Sequence, residues 1–200
     1  PHTVATRTDT ITGSDGLELE VQTWYATPEN SGPYHTYDDI FDAPSVLDRA
    51  EADCTETRPV LAFSHGDTAI SYQSIFLTEY LDSRGWVIVA PNHRGNTLFE
   101  PEEHRIALAL RRPIDIRDTV DWLFGSLGAT GGDLNGCVNP DDGYAISGHS
   151  FGGYTTLATA GAVVDLAEAM VYCKTQNEWM CGSVSDWITQ GHEAQRIDLS

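Results

Sequence analysis

Residues 144–153 read Tyr144-Ala145-Ile146-Ser147-Gly148-His149-Ser150-Phe151-Gly152-Gly153. A short apolar run, residues 144–147, predicts a buried strand, and residues 151–162 predict a helix. Between them stands Gly-x-Ser-x-Gly, a pattern tied to a strand-to-helix turn so tight that side chains two positions either side of the serine would collide. Glycine at 148 and 152 removes those side chains, and Gly153 is expected to let the helix pack close to the strand. Ser150 would then project above the sheet, with the N–H groups that open the helix aimed at whatever it meets. A helix N-terminus favours developing negative charge, so the Phe151 N–H is a candidate donor to an oxyanion. Five residues alone are weak evidence, and an inert serine in a glycine-rich turn is the rival reading. The strand before and the helix after sharpen the match.

Working outward, residues 59–64 and 86–90 read as further buried strands. Residues 72–83 and 113–124 have helical periodicity, with Ile114, Ile116, Val120 and Leu123 forming the apolar set of the second. Gly85 is placed to end the first helix and Pro113 to begin the second. Strand and helix alternating three times is the signature of a parallel sheet covered on both faces, an α/β fold. Residues 4–11 and 17–26 alternate apolar with polar around Ser14-Asp15-Gly16, which predicts an antiparallel hairpin at the start. Residues 28–58 read as a long irregular connection with a short helix near 45–52. A single domain over residues 1–200 is expected, with no internal repeat.

Composition narrows the classes. The formal net charge is −19, from 30 Asp and Glu against 11 Lys and Arg. Such a field repels phosphate backbones and anionic lipid, so nucleic acid is excluded as an expected partner. No stretch approaches the ~18 consecutive apolar residues of a membrane helix, so no membrane span is expected. Four cysteines fit an oxidising compartment, which implies a secreted or periplasmic setting. Reduced, unrelated thiols are the alternative. Zinc is disfavoured, because no CxxC or clustered Cys/His spacing is present.

A second segment bears on chemistry. Phe63-Ser64-His65-Gly66-Asp67 ends the strand at 59–64. Acyl transfer needs two N–H donors for the oxyanion, one after the nucleophile and one from the loop following this strand. Asp67 is the second candidate, with Gly66 as the alternative. An ordinary tight turn at His65-Gly66 is the bland reading.

Four segments occur in order: Phe63-Ser64-His65-Gly66, Val89-Ala90-Pro91-Asn92-His93-Arg94-Gly95-Asn96-Thr97, Arg112-Pro113-Ile114-Asp115 and Gly148-His149-Ser150-Phe151-Gly152-Gly153. Together they resemble the α/β-hydrolase serine esterases grouped with platelet-activating-factor acetylhydrolase and the dienelactone-hydrolase-like bacterial hydrolases. The likeness covers about residues 58–162. It implies a Ser–His–Asp esterase with no metal or organic cofactor. In it Ser150 is the nucleophile, Phe151 and Asp67 are the oxyanion donors, and a small or polymeric ester is the substrate. The family more often has an apolar residue at position 67. An aspartate there must either turn its side chain away or shift the donor by one. His93 and Arg94 follow the strand at 86–90 and are placed to line a pocket rim, whereas the resemblance implies a structural loop there and makes His149 a packed neighbour rather than the base. Asp115, at a helix start, reads as a cap or ion-pair partner rather than an acid catalyst. It makes the strands at 59–64 and 144–147 parallel neighbours. Cys54 and Cys137, five and seven residues ahead of them, then fall at one end of the sheet and can pair, leaving Cys173 and Cys181 to pair locally.

A serine hydroxyl needs a histidine to take its proton and a carboxylate to orient that histidine, here in the chain order serine, acid, histidine. Beyond Ser150, residues 163–195 read as an inserted segment, and the next core strands are not evident. His192 is the one downstream histidine, with Asp165, Asp186 and Asp198 as aspartates. An internal triad from these is the lesser alternative. The expectation is that acid and histidine lie outside this chain, on a C-terminal fragment of the same hydrolase that docks to complete the sheet. Short-to-medium acyl esters are the expected substrates. A lipase or polyester hydrolase is the runner-up, with Tyr34, Tyr37, Tyr72 and Phe99 as candidate cleft aromatics. An inactive fragment serving as a binding or assembly module is the alternative of another class.

Overall fold

The computed structural model describes residues 1–100, 105–162 and 165–175. Seven strands form one mixed sheet: β1 (Thr3–Thr12), β2 (Glu18–Thr27), β3 (Tyr34–Tyr37), β4 (Phe41–Asp48), β5 (Val60–Ser64), β6 (Val87–Pro91) and β7 (Ala145–Gly148). Their spatial order is β3-β4-β1-β2-β6-β5-β7. β1 and β2 form an antiparallel ribbon with Thr3 opposite Thr27 and Thr12 opposite Glu18. Antiparallel pairing of β2 with β6 joins this ribbon to a parallel set in which β5 lies between β6 and β7.

β5 and β6 are buried throughout because both faces of the sheet are covered. The period of two divides their side chains cleanly. Val60, Ala62, Val87 and Val89 pack with Ile116, Val120 and Leu123 on one face. Leu61, Phe63, Ile88 and Ala90 pack with Trp24, Ile75 and Leu81 on the other. The helices are α1 (Ile75–Asp82), α2 (Arg105–Trp122), α3 (Phe151–Thr159) and α4 (Leu166–Cys173). A π-helical turn, Leu123–Leu127, extends α2, and α3 packs against both α2 and β7.

Four expectations are corrected. The span 28–58 is not irregular throughout, since it holds β3 and β4. Residues 45–48 are the end of β4, not part of a short helix. Val46 and Leu47 pair in parallel with Val4 and Ala5 and bury on opposite faces, a two-residue period no helix supports. α1 starts at Ile75 rather than 72, since Ser71 donates its N–H to Asn92 Oδ1 at 2.6 Å and Gln73 closes a turn on Ile70. Pro113 lies inside α2 instead of opening it. A proline there forfeits a helix hydrogen bond. The burial of Leu108, Arg112 and Ile116 around it holds the helix through that position.

Cys54 and Cys137 form a disulfide with Cα atoms 4.3 Å apart, bridging the approaches to β5 and β7. Cys173 is disulfide-bonded too, and Cys181 lies outside the described residues. The span 163–195 contains α4, but most of it lies outside the described residues.

Candidate active site

Because β5, β6 and β7 are parallel, the loops after them gather at one edge of the sheet, where open α/β sheets place ligand sites. The loop after β7 is the tightest. Ser150 has φ +52° and ψ −113°, a left-handed conformation that an L side chain occupies at a cost of about 1–3 kcal/mol. It stands exposed at the N-terminus of α3. The glycines explain the bend. A Cβ at Gly152 would lie 1.9 Å from the Ser64 carbonyl oxygen, and one at Gly148 would lie 2.4 Å from the Gly152 carbonyl. Gly153 differs from expectation, since a Cβ there meets only the Gly148 carbonyl at 4.0 Å. The close approach therefore belongs to 148 and 152 alone. His149 donates its N–H to the Ser64 carbonyl at 3.1 Å, tying the bend to β5. Gly152 and Gly153 direct their N–H groups back to the carbonyls of His149 and Ser150. Among the described residues, the Phe151 N–H makes no such turn bond.

The loop after β5 is held peptide by peptide. The Gly66 N–H donates to Gln73 Oε1 at 2.8 Å, so it is already engaged. The Gly66 carbonyl accepts from His65 Nδ1–H at 2.7 Å. His65 Nε2 in turn accepts the His93 N–H at 3.0 Å, which fixes a neutral Nδ1–H tautomer. Burial, reinforced by His93 and the Arg112 cation, holds the His65 pKa well below the usual histidine value. The Asp67 carboxylate accepts from Asn96 Nδ2 at 2.9 Å.

Beneath these loops lies a buried polar network. Ser64 Oγ bonds His93 Nε2 at 2.8 Å, and His93 Nδ1 bonds Asp115 Oδ2 at 3.0 Å. The connectivity is that of a Ser–His–Asp relay, yet all three residues are fully buried. No substrate reaches them, so this relay is structural. Burial, then the Arg112 and Arg94 cations, pushes the His93 pKa far down and keeps the ring neutral. Burial also raises Asp115 to about 6 against the pull of Arg94, whose Nη2 lies 2.6 Å from its carboxylate. Asp115 is thus an ion-pair partner inside α2 and caps nothing. Arg112, fully buried, donates to Thr155 Oγ1, Asn96 Oδ1, Ser64 Oγ and the His65 carbonyl. Burial draws its pKa down from 12.5 to about 9, so it stays cationic at neutral pH.

The structure thus brings Ser150 and Phe151 to the same sheet edge as His65, Gly66 and Asp67. Among the described residues no side chain hydrogen-bonds Ser150 Oγ. His149 instead faces Gln73 Nε2, at 3.1 Å. Asp165 caps the Glu168 N–H at the start of α4, while Asp186, His192 and Asp198 lie outside the described residues. The aromatic rim is corrected. Tyr37 is buried, stacks on Tyr72 and accepts from Trp24 Nε1, so both are packing residues. β3, which carries Tyr34 and Tyr37, is six strand spacings from β7, roughly 29 Å. Phe99 lines a cavity of about 310 Å³ with Asn92, Arg94 and Glu100, and Ser150 is not among its lining residues. Sequence reasoning missed Arg112, Gln73 and Asn96 as builders of this edge, although Arg112 and Asn96 stand within the quoted segments. No described group of His, Cys, Asp or Glu could hold a metal ion, and no described helix is long and apolar enough to cross a membrane.

No protein-family model and no curated protein matches the sequence. Among solved structures, the chain is similar to a ferulic acid esterase from Streptomyces cinnamoneus, with TM-score 0.61 and 18% identity over 78% of this chain. The chain spans 55% of that esterase's length. It is also similar to brefeldin A esterase, a bacterial homologue of human hormone-sensitive lipase, with TM-score 0.48 and 18% identity, over 80% of this chain and 35% of that one. The first likeness shows an α/β-hydrolase-like fold.

Proposed function

We propose that this protein is a serine carboxylic-ester hydrolase that works through an acyl-enzyme on Ser150. One observation carries the reading: an exposed serine at φ +52° on a strand-to-helix bend that glycine alone permits at 148 and 152. Ser150 Oγ attacks the ester carbonyl, the alcohol leaves, and water releases the acid. The N–H groups of Phe151 and Asp67 receive the oxyanion. Engagement of the Gly66 N–H by Gln73 favours Asp67 over its neighbour as the second donor. A fold similar to that of a ferulic acid esterase supports the same chemistry. Short-to-medium acyl esters are the substrates we propose.

The acid and histidine of the triad come from outside the described residues. β7 pairs with β5 on one side only among the described strands, and its residues are half-buried or exposed. That open edge supports a further stretch of the same hydrolase, a C-terminal fragment, pairing beside it. The Cys54–Cys137 bridge supports a secreted or periplasmic location.

A fluorophosphonate probe tests the proposal, because it reacts only with an activated serine. Labelling should map to Ser150 and vanish in Ser150→Ala, together with turnover of p-nitrophenyl esters, while folding is nearly unchanged. Absence of labelling in the wild-type protein would instead favour a binding or assembly module without catalysis.

A further inference from the structure

We propose that Arg112 is a positioning residue that locks the two oxyanion donors into one geometry; this rests on the serine-esterase reading above. Its burial is complete, and among the described residues its four hydrogen-bond acceptors are all neutral oxygens. No described carboxylate is hydrogen-bonded to it, although the Asp115 and Asp67 carboxylates nearby offset part of its burial. A cation buried in this way is costly to desolvate, and apolar packing would stabilise the fold better. Its partners show what is obtained in return.

On one side, Nη2 donates to the His65 carbonyl, the first acceptor of the loop that carries Asp67. The opposite end of that same peptide unit, the Gly66 N–H, is held by Gln73 Oε1. A planar peptide gripped at both ends cannot rotate. The next peptide, which supplies the Asp67 N–H, is held through its carbonyl by His65. Nη1 meets Asn96 Oδ1, and Asn96 Nδ2 holds the Asp67 side chain. On the other side, Nε donates to Thr155 Oγ1, whose hydroxyl reaches the Phe151 carbonyl at 3.1 Å. The guanidinium also lies over the Phe151 ring, 4.7 Å from its centroid. One rigid fork therefore touches the loop that carries Asp67 and the ring of Phe151. Lysine, a point charge on a flexible stem, cannot reproduce four fixed bonds and a stacked face.

The test compares wild type with Arg112→Lys, Gln73→Ala and Thr155→Val. It measures thermal melting, kcat and KM on p-nitrophenyl acetate, and inhibition by butylboronic acid, whose serine adduct imitates the tetrahedral intermediate. For Arg112→Lys we expect kcat to fall about 100-fold with KM within about twofold, and boronate affinity to fall alongside kcat. Gln73→Ala, at an exposed residue, should shift the same two quantities in the same direction by about tenfold. A residue that only supports the fold would lower melting temperature and leave boronate affinity per folded molecule unchanged. The role is overturned if kcat and boronate affinity hold within about twofold in folded Arg112→Lys. Should that variant not fold, unchanged values in both Gln73→Ala and Thr155→Val overturn it equally. Wild-type protein that neither turns over ester nor labels at Ser150 ends the esterase reading and this inference with it. Active wild type with indifferent variants ends the inference alone.

Discussion

Replacing Gly152 with alanine places one methyl group 1.9 Å from the Ser64 carbonyl oxygen, 2.7 Å from its carbon and 2.8 Å from the His65 carbonyl oxygen. A comfortable carbon–oxygen contact is about 3.3 Å, so the first turn of α3 must retreat by about 1.4 Å. All three obstacles are backbone, and none can swing aside. The Ser64 carbonyl also accepts the His149 N–H, so retreat weakens a hydrogen bond of about 1 kcal/mol as well as straining the packing by about 1–3 kcal/mol. A total loss of about 3 kcal/mol is expected in urea unfolding followed by tryptophan fluorescence. Retreat also carries Ser150 and the Phe151 N–H away from the loop after β5. A displacement near 1 Å at a reacting centre costs about 100-fold, so fluorophosphonate labelling should slow by at least that factor. Gly153→Ala is the control. Its methyl group meets only an oxygen at 4.0 Å, and alanine is the better helix former by up to about 1 kcal/mol. It should be neutral or slightly stabilising and label at the wild-type rate. Gly152→Ala within 0.5 kcal/mol of wild type, by about the usual scatter of surface substitutions, or Gly153→Ala damaged to the same degree, contradicts the steric account.

Two further outcomes concern stability. Replacing Cys54 and Cys137 together with serine opens a loop spanning 83 positions and should cost about 4.5 kcal/mol, read as a shift in urea midpoint against wild type. Asp82 ends α1 fully buried, with neither carboxylate oxygen hydrogen-bonded among the described residues, and burial raises its pKa well above the usual carboxylate value. Its protonated form is favoured in the folded state, so its contribution is intact below the unfolded carboxylate pKa and declines as pH rises through the folded one. Asp82→Asn should remove that decline, because an amide has no proton to lose, so its stability relative to wild type should improve as pH rises through the folded carboxyl's pKa. Urea midpoints of variant and wild type from pH 4 to pH 8, about the span of an elevated carboxylate, should diverge with rising pH. Parallel curves would refute it.

The parts of the fold readable in the sequence are those governed by short-range sterics or by burial on both faces. Gly148 and Gly152 announce the bend because the collision they avoid is local. Val60–Phe63 and Trp86–Ala90 announce themselves as unbroken apolar runs because β5 and β6 are buried throughout. Val46 and Leu47 gave no such signal. Two adjacent apolar residues fit a helix or a strand, and only the pairing with Val4 and Ala5, some forty positions earlier, decides. Pro113 misled for a related reason: its local preference to open a helix yields to the buried anchors on either side. The supports of the candidate site were the least legible. Arg112, His93 and Asp115 look like surface or rim residues by composition, and their burial depends on partners from four separate segments meeting beneath one loop.

The cystine between residues 54 and 137 has a consequence for how the molecule fails. It encloses β5, α1, β6 and α2 within a covalent ring. A protease that cuts the chain once anywhere inside this ring opens it without dividing the molecule. The pieces stay attached and can close up again, and only reduction would set them adrift.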